Sequence, residues 1–154
     1  MNNIPRLNLP PIDAAIRPDR DSRRGGLEIY DRLRRKWVAL TPEECVRQHF
    51  VDFLIKFRMF PAGIMANEVG LTLNGTPRRA DTIVYSNTLK PLVVIEYKAP
   101  DIAITQAVFE QAARYNMVFG AKYLIVSNGL RHFCCRYTDK GYAFLNDIPF
   151  YDSL

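Results

Sequence analysis

Two acidic residues and a lysine border apolar runs near the middle of the chain. Asp81 precedes the apolar run at residues 83–85, and Glu96 and Lys98 follow the β-branched run at residues 93–95. Because side chains alternate along a strand, Glu96 and Lys98 point to the same face of a sheet. Carboxylate oxygens bind hard divalent cations, and a lysine beside such a cation can hold or polarise a water molecule. The spacing therefore predicts a polar site shared by two strands.

Three consecutive strands are expected to carry these residues. The pair Asn74-Gly75 is a strong signal for a tight turn, and Ala99-Pro100 ends the last apolar run. Short polar turns between the strands favour an antiparallel meander, with strands at residues 65–73, 81–85 and 92–98.

A helix start stands before the meander, at residues 41–44. Thr41 is a favourable N-cap, proline is favoured at the first helical position, and Glu44 lies where a capping box is completed. The helix is predicted to run to about Arg58, with an apolar stripe of Val46, Phe50, Phe53, Leu54 and Phe57. Glu43 falls within that stripe, and Glu44 and Arg47 lie towards its flanks. A carboxylate there can reach a metal site; the alternative is that both glutamates only cap the helix and favour its dipole.

A second helix is expected after the meander, from Asp101 or Thr105 to about Phe119. Its buried stripe is predicted to contain Ile104, Val108, Ala112, Tyr115 and Phe119, with Gln111 one turn before Tyr115. Strands follow at residues 123–126 and 132–137, joined by Asn128-Gly129, and residues 142–145 can add an edge strand. The helix between two strands allows a parallel crossover, so the sheet is predicted to be mixed.

The N-terminal part is expected to differ from this core. Four prolines in residues 1–18 predict an irregular arm over the body, and residues 27–31 and 36–40 predict a hairpin with arginines at its tip. The net charge of +5 and the arginine-rich stretch at residues 17–36 favour a nucleic-acid partner, although a solvated basic surface is an equally simple explanation of that stretch.

Composition excludes several classes of protein. The 154 residues fit one domain and contain no apolar run of the roughly 18 residues that span a membrane. The N-terminus has no signal-peptide core, and the three cysteines are too few and badly spaced for a disulfide framework. We therefore expect a reduced, cytoplasmic protein that does not enter a membrane.

The order of these elements resembles the PD-(D/E)xK nuclease superfamily, with Asp81 on the second strand of the meander and Glu96-Tyr97-Lys98 on the third. Residues 111–115, Gln-Ala-Ala-Arg-Tyr, resemble the QxxxY motif of one branch. Residues 37–137 resemble the N-terminal nuclease-like domain of type I restriction enzyme R subunits. The resemblance implies an α/β (α+β) fold with a restriction-endonuclease-like core: a mixed sheet of about five strands flanked by helices, plus an N-terminal hairpin. We divide the chain into an arm at residues 1–26 and a single domain at residues 27–154.

The resemblance also implies roles for individual residues. Asp81, Glu96 and the backbone carbonyl of Tyr97 would bind Mg²⁺ or Mn²⁺, and Lys98 would position or deprotonate the attacking water. Glu43 or Glu44 would be the acid of the first helix.

Four further residues are assigned near the site. By the same resemblance, Gln111 and Tyr115 would contact the DNA backbone or support the lysine. Arg47 and Arg79 are candidate phosphate contacts on charge and location.

Two departures limit the resemblance. Ala80 stands where the superfamily has proline, and the chain has no GxxxxGK[ST] loop, so we expect no ATP binding by this chain. Its role is then expected to differ from that of the large enzyme or to depend on protein partners or a homo-oligomer.

Three interpretations remain open at the sequence level. The first is a metal-dependent nuclease acting on DNA in restriction or repair. The second is a catalytically weak or inactive nucleic-acid-binding module that acts with partner proteins. The third is an ion-paired cluster of Asp81, Glu96 and Lys98 in an unrelated mixed sheet.

Overall fold

Two β-sheets and two α-helices form the framework of the protein. The computed structural model describes residues 4–23 and 25–154. The strands and helices in chain order are β1 (Ile16–Pro18), β2 (Leu27–Asp31), β3 (Lys36–Ala39), α1 (Pro42–Phe57), β4 (Met65–Leu73), β5 (Thr76–Tyr85), β6 (Pro91–Tyr97), α2 (Gln106–Asn116), β7 (Tyr123–Ser127), β8 (His132–Thr138) and β9 (Gly141–Phe144). Neither helix of the described residues has the length and apolar character needed to cross a membrane.

The smaller sheet contains three antiparallel strands in the order β1-β2-β3. The hairpin predicted from residues 27–40 is confirmed, but the irregular structure predicted for residues 1–18 is wrong at residues 16–18. These three residues pair with β2 because the hairpin offers an open edge whose backbone groups need partners. Further back along the arm, Leu7 and Leu9 pack against the main core. Residues 1–3 and 24 of the predicted arm lie outside the described residues.

The larger sheet is mixed and contains six strands in sequential order from β4 to β9. All neighbours are antiparallel except β6 and β7, which are parallel and are joined by the crossover that contains α2. The predicted meander and crossover are therefore confirmed, and β9 is the edge strand expected at residues 142–145, which brings the sheet from about five strands to six. The chain order places the carboxyl end of β6 beside that of β7.

The two helices lie on opposite faces of this sheet. Val93 and Ile95 of β6 belong to the buried cluster that contains Phe50 of α1, whereas Val94 belongs to the cluster that contains Phe109 of α2. This division follows from the alternation of side chains along a strand. A strand that is covered on both faces needs a continuous apolar sequence, and β7 is buried at all five positions.

Two details of the helices differ from the predictions. Thr41 Oγ1 accepts a hydrogen bond from the backbone N–H of Glu44, as an N-cap should, but the Glu44 carboxylate binds other side chains and completes no capping box. In α2 the buried residues are Phe109, Ala112, Ala113 and Asn116. The predicted stripe is confirmed at Ala112 and Phe119 but wrong at Tyr115, which is 36% exposed.

The alternation of side chains reverses in the middle of β4 and β5. Met65 and Val84 face the α1 cluster, but Val69 and Ala80 contact the α2 cluster, which strict alternation does not allow. The reversal occurs at Glu68, whose φ of 58° is left-handed. Few residues other than glycine adopt this conformation, and its cost is about 1–3 kcal/mol. The outer part of the β4–β5 hairpin is thereby turned relative to the sheet.

Candidate active site

The pairing of β5 with β6 brings the two predicted carboxylates to neighbouring positions. Thr82 pairs with Ile95 in this antiparallel register, so the next pair of residues across the two strands is Asp81 and Glu96. The backbone N–H of Tyr97 donates to Asp81 Oδ2 at 2.9 Å. Beyond the end of β6, the N–H of Lys98 donates to the carbonyl of Ser127 at 2.9 Å, which holds the lysine in line with the strand.

Glu96 is held by a lysine and an asparagine. Its Oε1 lies 2.8 Å from Lys98 Nζ, and its Oε2 accepts a hydrogen bond from Asn116 Nδ2 at 2.7 Å. Burial acts to lower the pKa of Lys98, but the hydrogen bond and charge of Glu96 outweigh it and leave the pKa raised. Asn116 was missed in the sequence, and its signal was a polar residue spaced with Phe109 and Ala112 on the buried face of α2.

Asp81 is the carboxylate with the most perturbed pKa at this site. Burial raises its pKa to about 6, against the lowering effect of the Tyr97 hydrogen bond and of Arg47, while the charges of Glu96 and Glu43 raise it further. Its Oδ1 lies 3.8 Å from the Arg47 guanidinium, which is beyond hydrogen-bond distance. Asp81 therefore keeps an oxygen that can bind another ligand, at a position that lines an open cleft.

The raised pKa predicts that Asp81→Asn stabilises the ligand-free protein at neutral pH. The carboxyl releases its proton at about pH 6 when folded but near its ordinary value of 3.8 when unfolded, so wild-type stability falls as the pH rises between these values and remains reduced above them. At pH 7.5 in EDTA we expect a gain of roughly 2 kcal/mol, or a rise in Tm of roughly 4–8 °C. Thermal unfolding between pH 4 and 8 measures it.

The gain should shrink as the pH falls below 6 and vanish near pH 4. Asp139→Asn is the matched control, because that residue is exposed and its replacement should change stability little at any pH. An Asp81→Asn protein that is less stable than wild type at pH 7.5 would contradict the prediction.

Arg47 is a buried cation surrounded by acids. It is 3% exposed, and its guanidinium lies 2.6 Å from Glu68, 3.6 Å from Glu44 and 3.8 Å from Asp81. The guanidinium also lies over the ring of Tyr97, 5.7 Å from the centroid. The expected phosphate contact is therefore not on the surface, and Arg47 instead neutralises carboxylates beneath the site.

Glu68 was also missed in the sequence. Its two oxygens bind Arg47 and Arg79, each at 2.6 Å. Its left-handed backbone leaves no signal that can be read from residue types alone. Arg79 is 70% exposed at its side chain, and it fits the predicted phosphate contact better than Arg47 does.

The two glutamates of α1 occupy different surroundings. Glu44 is buried, and its Oε1 accepts hydrogen bonds from Arg34 and from Gln48 at 2.5 and 2.8 Å. Glu43 is exposed overall, but partial desolvation of its carboxyl raises its pKa, and the charges of Lys98 and Arg47 oppose this rise. Of the two candidates, Glu43 is the one whose charge helps to raise the pKa of Lys98.

The two residues of the QxxxY motif, Gln111 and Tyr115, also occupy different surroundings. Tyr115 Oη accepts a hydrogen bond from the backbone N–H of Arg79 at 3.2 Å and lines a cleft of about 620 Å³ together with Arg78, Asp81 and Glu96. Gln111 is exposed one turn earlier, and its amide makes no hydrogen bond within residues 4–23 and 25–154. Any contact between Gln111 and DNA stays a prediction.

The donor set is compatible with a hard divalent cation, although it is small. Asp81, Glu96 and the Tyr97 carbonyl offer oxygen ligands on adjacent strands, and Asp81 has a free oxygen. Within the described part of the chain, however, no three His, Cys, Asp or Glu side chains are grouped so that they could hold a metal ion. Water or substrate oxygens would have to complete the coordination.

The sheet, its flanking helices and the paired carboxylates define a nuclease-like domain of the PD-(D/E)xK type. Residues 42–149 match the family model described as "Type I restriction enzyme R protein N terminus (HSDR_N)", and the chain belongs to this family. Membership supports a nuclease-type role of the kind associated with restriction. A comparison with curated proteins finds no match.

A solved structure shares the fold. It is the fragment structure of a putative HsdR subunit of a type I restriction enzyme from Vibrio vulnificus YJ016, with a TM-score of 0.57 and 21% sequence identity. The match covers 73% of this chain and 24% of that one, so this chain spans less than a third of the matched structure.

Proposed function

We propose that this protein is a metal-dependent nuclease that hydrolyses phosphodiester bonds in DNA, in restriction or repair. The observation that supports it most is the placement of Asp81 and Glu96 on paired strands with Lys98 at 2.8 Å from Glu96, all beside an open cleft. Arg78 and Arg79 line the same cleft, and their guanidinium groups can bind the phosphates of a nucleic-acid backbone.

Each group has a role in this proposal. Asp81, Glu96 and the Tyr97 carbonyl would hold Mg²⁺ or Mn²⁺, which would supply positive charge to the phosphoryl oxygens. Lys98, oriented by Glu96, donates a hydrogen bond to the attacking water and fixes its direction. Asn116 keeps Glu96 in place, and Glu43, whose charge interacts with that of Lys98, is the acid that α1 contributes.

One observation favours the alternative of a weak or inactive nucleic-acid-binding module that acts with protein partners or as a homo-oligomer. Both oxygens of Glu96 already have protein partners, Lys98 and Asn116. A cation would have to compete with these two contacts. The same cleft would then bind nucleic acid without turnover.

The direct test is incubation of the purified protein with plasmid and linear DNA, and with RNA, in Mg²⁺, in Mn²⁺ and in EDTA. We expect DNA cleavage with either metal and none in EDTA, measured on gels. Failure to cut any substrate with either metal would overturn the proposed activity. Salt-dependent DNA binding without cleavage would then establish the alternative.

A further inference from the structure

We propose that the outer half of the β4–β5 hairpin and Tyr115 of α2 form a binding platform for the bases of an unpaired strand, so that the substrate of the site is single-stranded or frayed nucleic acid rather than intact duplex. This inference rests on the proposed function only in that the same strand would reach Asp81 and Glu96. The platform is defined as Leu71, Leu73, Arg78 and Tyr115.

The platform exists because the outer part of the hairpin is rotated relative to the sheet at Glu68. In the register of β4 and β5, Leu71 pairs with Arg78 and Leu73 pairs with Thr76. Beyond the reversal at Glu68, these residues share the face of Val69 and Ala80, which contact the α2 cluster. Leu71 and Leu73 are therefore directed to the side of the hairpin that faces α2, where they remain 39% and 47% exposed.

Tyr115 ties this face to the candidate site. The Arg78 guanidinium lies over the Tyr115 ring, 4.8 Å from its centroid, and the Tyr115 hydroxyl is held by the backbone of Arg79. Leu71, Arg78 and Tyr115 line the same cleft as Asp81 and Glu96. The platform is thus continuous with the position where a phosphodiester would be cut.

The chemistry of the platform distinguishes between the two kinds of strand. Duplex DNA presents phosphates and sugars to a protein surface, and its bases are stacked on each other and shielded. Exposed leucines gain nothing from such a surface. An unpaired base has free apolar faces that stack on aromatic rings and on arginine guanidinium planes, while neighbouring arginines bind the phosphates.

The size of the cleft agrees with this assignment. Its volume of about 620 Å³ lies in the range of sites that enclose small ligands, roughly 300–1,000 Å³, and accommodates a nucleotide or two. Arg79 at the rim has its side chain 70% exposed, so it can follow the phosphate backbone of that strand.

Binding in EDTA tests the platform without cleavage. Fluorescence anisotropy would compare a labelled single strand, the matching blunt duplex and a duplex with a single-stranded end. We expect the single strand and the overhang to bind at least tenfold more tightly than the blunt duplex. Leu71→Ser should weaken single-strand binding by roughly tenfold, with little effect on the duplex.

Arg78→Lys separates stacking from charge. Lysine keeps the charge but not the planar guanidinium, so single-strand affinity should fall while its dependence on salt concentration is unchanged. The matched controls are Leu89→Ser and Arg136→Lys. Leu89 is 71% exposed in the turn before β6, and Arg136 pairs with the first residue of β7, so both lie at the opposite end of the sheet.

The outcomes separate the two proposals. Equal binding of blunt duplex and single strand, or unchanged single-strand binding in both Leu71→Ser and Arg78→Lys, would overturn the platform even if the protein cuts DNA. Selective single-strand binding that both variants lose would support the platform even if no substrate is cut. Circular dichroism of each variant checks that the protein has folded. If Leu71→Ser does not fold, single-strand binding by Arg78→Lys decides whether the platform exists.

Discussion

Replacement of Lys98 by methionine is expected to reduce metal-dependent DNA cleavage by about 10²–10⁴-fold, the usual contribution of a side chain that positions or transfers a proton. The ammonium lies 2.8 Å from Glu96, and methionine keeps much of its length without any charge or donor. Glu96→Gln should reduce cleavage at least as much, because it also removes one of the two carboxylates. Initial rates in Mg²⁺ at fixed DNA concentration give the measurement.

Lys90→Met is the control for the lysine. Lys90 lies in the turn immediately before β6, at the end of the strand opposite Lys98, so its loss should leave the rate within a factor of two or so. Unfolding curves must show that Lys98→Met is as stable as wild type. A folded Lys98→Met protein that cuts DNA at the wild-type rate would remove Lys98 from the mechanism.

Replacement of Arg47 by methionine is expected to destabilise the fold by about 3–5 kcal/mol, the usual cost when one partner of a buried ion pair is removed. Arg47 is 3% exposed and is the cation between Glu44, Glu68 and Asp81. Glu68 keeps Arg79 and Glu44 keeps Arg34, but Asp81 loses a counter-charge in a buried position. Urea unfolding at pH 7.5 measures the loss.

Two comparisons show whether charge is the cause. Arg136→Met replaces an exposed arginine and should change stability by less than about 0.5 kcal/mol. Asp81→Asn should stabilise Arg47→Met by more than it stabilises the wild type, because in that variant it removes a carboxylate that has lost its cation. An equal gain in the two backgrounds would show that the loss comes from packing against Tyr97 instead.

Much of the fold was predictable because local rules and burial agree. Thr41 and Pro42 mark the start of α1, Asn74-Gly75 fixes the β4–β5 hairpin, and the unbroken apolar sequence of β7 requires a strand covered on both faces. The pairing of residues 16–18 with β2 was missed, because the prolines around these residues argue against regular structure, and the hairpin edge that accepts them is a tertiary feature.

The candidate site was predictable where the position of a residue along its own strand indicates its role. Asp81, Glu96 and Lys98 were placed by strand period and by the PD-(D/E)xK resemblance, and the pairing of β5 with β6 brings them together. Arg47 was predicted to contact phosphate because its charge indicates an anionic partner. The residue type alone does not show that the side chain is buried. Its true surroundings depend on three elements that meet only in the folded chain, as do the contacts of Glu68 and Asn116.

The left-handed residue in β4 has a consequence for how this domain can change in evolution. Glu68 both redirects the hairpin that forms the cleft wall and binds Arg47 and Arg79. A glycine there would keep the bend and lose the two arginine contacts, whereas a β-branched residue would oppose the bend as well. A substitution at this one position would therefore alter the shape of the cleft wall and the charge balance of Arg47 and Arg79 together.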